Sequence, residues 1–199
     1  AAAADVTDVE GLAADLTAAG SPVAFASAEV ANPARAARKL RGYDPEVVDA
    51  LFERDLFDRL LVKADGARRR EFKAPGPDEP MIPGASTHVV PVASVAAVGD
   101  PLDAETVHRP ERVAALTDLA VGDPVTAEAM GAVLASDEGG CKGVPDGATV
   151  VPLVNKADTA AQRETARAVL AAAFARTDRF TRGLVCALRD GFCEVVEPE

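Results

Sequence analysis

Apolar residues along this chain recur in two periods. From Asp8 to Ala19, Val9, Leu12, Ala13 and Leu16 fall three and four apart, which predicts a helix stopped by Gly20. The short run "PVAFAS", Pro22 to Ser27, predicts a strand. Asp44 then caps a helix with Pro45 at its first position and Val47, Val48, Leu51 and Phe52 on its inner face. "RLLVKADG" reads as a buried strand ending at Asp65-Gly66. The loop from Ala67 to Ala85 is polar and proline-rich.

A second apolar strand covers Thr87 to about Val95. "RPERVAALTDL" and "TAEAMGAVLAS" predict two short helices, and Asp137 to Gly147 a glycine-rich loop. "ATVVPLV" predicts a third strand that runs into Asn155-Lys156-Ala157-Asp158. A long amphipathic helix follows, capped by Asp158 or Thr159. "RGLVCAL" and "FCEVVEP" close the chain as strands joined near Asp190-Gly191.

Continuous apolar strands separated by helices are the pattern of a parallel sheet covered on both faces. The expectation is one α/β domain over residues 1–199, with a mainly parallel sheet and ligands beyond the carboxyl ends of its strands.

Composition narrows the function classes. The formal net charge is −11, and five Lys stand against sixteen Arg. Such a surface repels nucleic acid and anionic membranes. Acidity with scarce Lys suits a protein soluble in high salt and points to a halophilic source. No apolar run approaches the roughly 20 residues of a membrane span. The opening alanines lack the basic and apolar regions of a signal peptide, so a reduced cytoplasmic setting is expected. Cys141, Cys186 and Cys193 have no CxxC spacing, which argues against a disulfide framework or a zinc site.

Three stretches carry candidate chemistry. Asn155-Lys156-Ala157-Asp158 matches N-K-x-D, the base-reading motif of GTP-binding P-loop proteins. A carboxylate at Asp158 accepts from the ring N–H and the exocyclic amine of guanine, Asn155 shapes the pocket, and the Lys156 stem lies over the base. The same four residues also make an ordinary helix start with Asp158 as its cap. Asp65, before Gly66, resembles the strand-end Asp that holds a Mg²⁺-bound water in P-loop NTPases; Asp-Gly is equally a common turn. Arg68, Arg69, Arg70 and Lys73 offer an anion pocket, or pair internally with Asp78 and Glu79. His108-Arg109 before Pro110 gives a helix start that either binds an anion or is a plain surface cap. Gly139 to Gly143 offers backbone N–H groups to a phosphate, or is a connector. Cys141 in that loop reads as an exposed thiol.

Taken together, "VKADGARRREFKAPGPDEPMIP", "VHRPERVAALTDL", "EGGCKGVPDGATVVPLVNKAD" and "LRDG" resemble, in the same order, the YqeC-like family. The resemblance covers roughly Leu40 to Gly191 and marks the chain as a haloarchaeal-type member. Members of that family are taken as accessory proteins of selenium-dependent molybdenum hydroxylases, with a P-loop NTPase-like fold.

The resemblance implies a nucleotide such as GTP with Mg²⁺ as cofactor, and a molybdenum hydroxylase or its cofactor as partner. Lys63 stands where the family has Glu before Ala-Asp-Gly, reversing the charge beside Asp65. The family's G-x-G-G-K-[ST] phosphate loop has no counterpart in these 199 residues. The expectation is therefore a member without its N-terminal strand and phosphate loop, with little hydrolysis by this chain alone. Lys63, Lys73 and the arginines would then supply part of the missing positive charge. The alternative is a non-catalytic binding or scaffold module with a degenerate nucleotide site.

Overall fold

The computed structural model describes residues 9–19, 22–30 and 39–198. The chain divides into two compact units, one built from residues up to 62 together with 81–86, the other from 63–80 and 87 onward.

The first unit holds helix α1 (Val9–Ala19), a ribbon of β1 (Ala28–Val30) and β2 (Lys39–Arg41), and helix α2 (Pro45–Phe52). Its core is Leu12, Ala13 and Leu16 of α1 against Val47 and Leu51 of α2. Pro45 opens α2 as expected, but Asp44 makes no side-chain capping bond. Phe52, expected on the inner face, is 47% exposed. The Asp49 carboxylate instead fastens the returning segment, accepting from Gly84 N–H at 2.9 Å and Ala85 N–H at 2.8 Å.

Two predicted strands are corrected here. "PVAFAS" forms none: Val23 and Phe25 pack against the helices, and pairing starts only at Ala28. "RLLVKADG" is not a strand either, and Leu61 is 91% exposed. A strand is stabilised by its neighbour's N–H and C=O groups, and no described strand pairs with this run.

The second unit contains β3 (Phe72–Lys73), β4 (His88–Val89), β5 (Val92–Ser94), β6 (Val107–His108), α3 (Pro110–Ala115), α4 (Ala127–Ala135), β7 (Thr149–Val150), β8 (Leu153–Asn155), α5 (Ala160–Phe174), β9 (Gly183–Ala187) and β10 (Phe192–Val196). The predicted strand at Thr87 to Val95 is split at Pro91, and "ATVVPLV" at Pro152. Register still runs straight through: His88 faces Thr149 and Val92 faces Leu153, a constant offset of 61 residues. Leu153 N–H donates to Pro91 C=O at 2.9 Å across the break. Proline removes a donor without displacing the strand.

The pairs β3–β6, β4–β7, β5–β8 and β8–β9 are parallel, whereas β1–β2 and β9–β10 are antiparallel. Ser94 N–H donates to Glu71 C=O at 3.0 Å, which links β5 to the start of β3. The fold is thus α/β with mixed, partly parallel sheets.

Thr159 caps α5 through a capping box with Gln162, so of the two candidate caps Asp158 is not the one used. Ala166, Val169, Leu170 and Ala173 of α5 meet Met130, Val133 and Leu134 of α4 in one buried cluster. Gly131 makes that approach close. A Cβ there would stand 2.8 Å from Ala172 Cβ, Ala173 N and Val169 O. Gly131→Ala is therefore expected to cost about 1–3 kcal/mol by overpacking, read as a lower urea midpoint. An unshifted midpoint would show that α4 and α5 do not meet there.

Candidate functional site

The carboxyl ends of β3 and β6 carry a charge cluster. Lys73 ends β3, and its side chain is only 11% exposed. Its Nζ lies 2.7 Å from Asp65 Oδ2 and 2.7 Å from Glu79 Oε2. Arg109, just after β6, grips Glu79 with both guanidinium nitrogens, Nη1 at 2.9 Å and Nη2 at 3.2 Å. Gly76 gives that guanidinium room, since a Cβ there would sit 3.0 Å from Arg109 Nη2.

The field of these cations is large. The Arg109 hydrogen bonds, helped by Lys73 and opposed by burial, bring the Glu79 carboxyl down to about 2. Burial, then the charges of Arg109, Arg68 and Lys73, lower His108. The imidazole is therefore neutral at pH 7, and its Nδ1 is buried with no hydrogen-bond partner among the described residues.

Sequence reasoning left the internal pairing of Lys73 with Glu79 open as one alternative, and the structure has it, but it missed Arg109 on the same carboxylate because the two lie thirty residues apart. It also missed Lys142, whose Nζ donates to Gly76 C=O at 2.6 Å and Pro77 C=O at 2.9 Å. Lys142 thereby pins the "KAPGP" loop beneath the cluster.

The remaining basic candidates are placed differently. Arg68 and Arg69 form the tip of a turn closed by Arg70 N–H to Ala67 C=O at 2.9 Å. Both have positive φ, 51° and 66°, a geometry that favours Asn and Gly. All three arginines are exposed. Lys63 is exposed and near Gly66, whose added Cβ would meet Lys63 Nζ at 2.9 Å.

Asp65 is a correction to the expected metal position. It follows no strand, and its carboxylate already takes Lys73. The Lys73 ammonium stands between Asp65 and Glu79, where a divalent cation would have to sit, so this donor set does not fit Mg²⁺. Among the described residues no group of three or more His, Cys, Asp or Glu could hold a metal.

The N-K-A-D segment lies at the carboxyl end of β8, as expected. Asn155 Oδ1 accepts from Leu188 N–H at 3.2 Å, and Ala157 N–H donates to Cys186 C=O at 3.0 Å. Lys156 has φ 62° and reaches both carboxylate oxygens of Glu71 at 2.6 Å. Burial pushes Glu71 up, but the bonds from Lys156 and Ser94 outweigh it and hold the carboxyl below its usual value. Glu71 and Lys73 are two apart on extended backbone and so share a face. Asp158 is exposed and takes no hydrogen-bond partner among the described residues.

The glycine loop does not cradle an anion. Gly139 N–H donates to Ser136 C=O, Gly140 N–H to Val133 C=O and Cys141 N–H to Ser136 C=O. Its donors are thus used to terminate α4. Cys141, expected to be exposed, is 2% exposed, and burial raises its thiol pKa.

Comparison with known proteins gives two findings. A family model described as "YqeC protein" matches residues 13–111. The chain is also 34% identical over 118 residues to "Uncharacterized protein YqeC" of Escherichia coli (strain K12), covering 59% of this chain and 46% of that protein. The chain therefore spans about half the length of that relative. No solved structure matches. The matched family region includes Asp65, Lys73, Glu79 and Arg109, whereas Asn155 to Asp158 lies beyond it. No described helix is long and apolar enough to cross a membrane.

Proposed function

Because this chain is a YqeC-like family member, we propose that it is a nucleotide-binding accessory protein that takes GTP and serves a molybdenum hydroxylase or its cofactor. The hydroxylase half of this reading rests on the family resemblance. The nucleotide half is supported by one observation above others: Asp158, at the carboxyl end of β8, is exposed and takes no hydrogen-bond partner among the described residues. Asn155 and Lys156 are meanwhile committed to holding the loop. That leaves one carboxylate free for two guanine donors. Arg68, Arg69, Arg70 and Lys63 stand in solvent as phosphate contacts, with Lys73, His108 and Arg109 behind them.

The test is calorimetry with GTP and ATP at several salt concentrations, since screening weakens exposed charge contacts. The unmodified chain is expected to prefer GTP. Asp158→Ala is expected to bind both alike, a loss of about tenfold in preference, because adenine offers the carboxylate neither pairing. Equal affinities before mutation would refute base reading.

A second reading has its own support. Lys73, Arg109 and Lys156 are already matched by Asp65, Glu79 and Glu71. On that reading the ion pairs fix a loop for docking on a protein partner, and no nucleotide is bound.

A further inference from the structure

Cys186 and Cys193 were separated by the sequence, but the fold sets them against each other. They are direct partners in the antiparallel β9–β10 register. Their sulfur atoms are 3.0 Å apart, with the Cys186 S–H donating to Cys193 Sγ. Directly opposed residues of antiparallel strands have Cα atoms about 4.5–5.5 Å apart, inside the roughly 4.4–6.8 Å that a disulfide accepts. The two thiols are also unlike. Cys193 is exposed, whereas Cys186 is fully buried.

We propose that Cys186 and Cys193 form a reversible dithiol–disulfide site that is oxidised by hydroperoxides. Accessibility assigns the order of events. Cys193 is open to solvent, so its sulfur meets the hydroperoxide first, as the thiolate. It attacks the outer oxygen of the hydroperoxide. The O–O bond breaks, the sulfur becomes a sulfenic acid, and an alcohol or water leaves once the proton is returned. The Cys186 sulfur then gives up its proton and attacks the Cys193 sulfur. The S–S bond forms, the S–O bond breaks, and water departs with that proton. Two thiols and one hydroperoxide thus give one disulfide, one alcohol and one water. A small-molecule dithiol reverses the change by exchange.

Burial first, then Cys193, pushes the Cys186 thiol up to about 12. It is therefore a poor first nucleophile and acts only once its partner is activated. The site borders the N-K-A-D loop, because the Cys186 carbonyl accepts Ala157 N–H at 3.0 Å. The inference does not depend on any ligand of that loop.

The experiment uses the intact chain. After one equivalent of hydrogen peroxide, the protein is unfolded, alkylated with N-ethylmaleimide and weighed. Of its three cysteines, only Cys141 is expected to be alkylated, and peptide mapping is expected to find Cys186 joined to Cys193. Dithiothreitol should restore all three. In Cys186→Ser, the sulfenic acid on Cys193 should persist and be captured by dimedone. Three alkylated thiols after peroxide, a link between chains, or a link to Cys141 would each overturn the proposal. So would Cys193 sulfinic acid beside an alkylated Cys186. The mapping on the unmodified chain decides the matter even if the serine variant folds poorly.

Discussion

Gly139→Ala is expected to destabilise the second unit by about 3 kcal/mol, the upper end of overpacking costs. Neither Gly139 nor Gly140 has positive φ, so conformational freedom is not the reason for either. Space is the reason. A Cβ on Gly139 would overlap the Val133 carbonyl oxygen, and one on Gly140 the Leu134 carbonyl oxygen. Both obstacles are backbone at the last turn of α4, so neither can swing aside. The chain folds back over that turn to bring Cys141 into the core, where its S–H donates to Leu134 C=O at 3.6 Å. Urea unfolding of the variant checks this. A midpoint like that of the parent would return the glycine pair to the phosphate-cradle reading, in which affinity for an anion drops and stability does not.

The sequence was most legible where local chemistry and fold agree. The helix start at Asp158 or Thr159, the strand running into Asn155, and the hairpin near Asp190-Gly191 all depend on neighbours in sequence, and the structure has them, with Thr159 as the cap. "RLLVKADG" failed because an apolar run shows hydrophobicity and not its pairing partner. With Leu61 91% exposed, that run has no ladder among the described strands. "PVAFAS" failed for a related reason: its side chains are partly buried by helices rather than by a sheet. Of the site, the cations were legible as a cluster of charge. The pairing of Lys73 with Glu79 was open as an alternative, but Arg109 as the second cation on that carboxylate was not legible, because it lies thirty residues away. The thiol pair was hidden similarly. Only the β9–β10 register turns a spacing of seven residues into a contact.

Glu79→Ala is expected to have the larger functional effect, and it separates the two readings of the site. The carboxylate holds Lys73 at 2.7 Å and Arg109 at 2.9 Å. Removing it leaves Lys73 with Asp65, and Arg109 without the carboxylate that it pairs with. The stability cost is expected at about 1–3 kcal/mol, toward the low end because the Glu79 side chain is 30% exposed and water screens part of the loss. The pH dependence has a definite sign. The Glu79 carboxyl is lowered from its usual 4.5 to about 2. Its stabilisation is therefore complete above pH 4.5 and disappears as pH falls through 2. Acid unfolding of Glu79→Gln should lack that contribution while keeping the shape of the side chain.

The ligand result follows from the same charges. If the cluster exists to hold a phosphate, freeing Lys73 and Arg109 should raise affinity for GTP or inorganic phosphate by about tenfold, equivalent to about 1.4 kcal/mol. The gain should fade at high salt. If the ion pairs only shape a loop for docking, neither ligand binds before or after the change, and only stability moves. A folded Glu79→Gln with unchanged phosphate affinity at every salt concentration would remove the anion-binding role from Lys73 and Arg109. The exposed Arg68–Arg70 turn would then be the remaining cationic surface to test in the same titration.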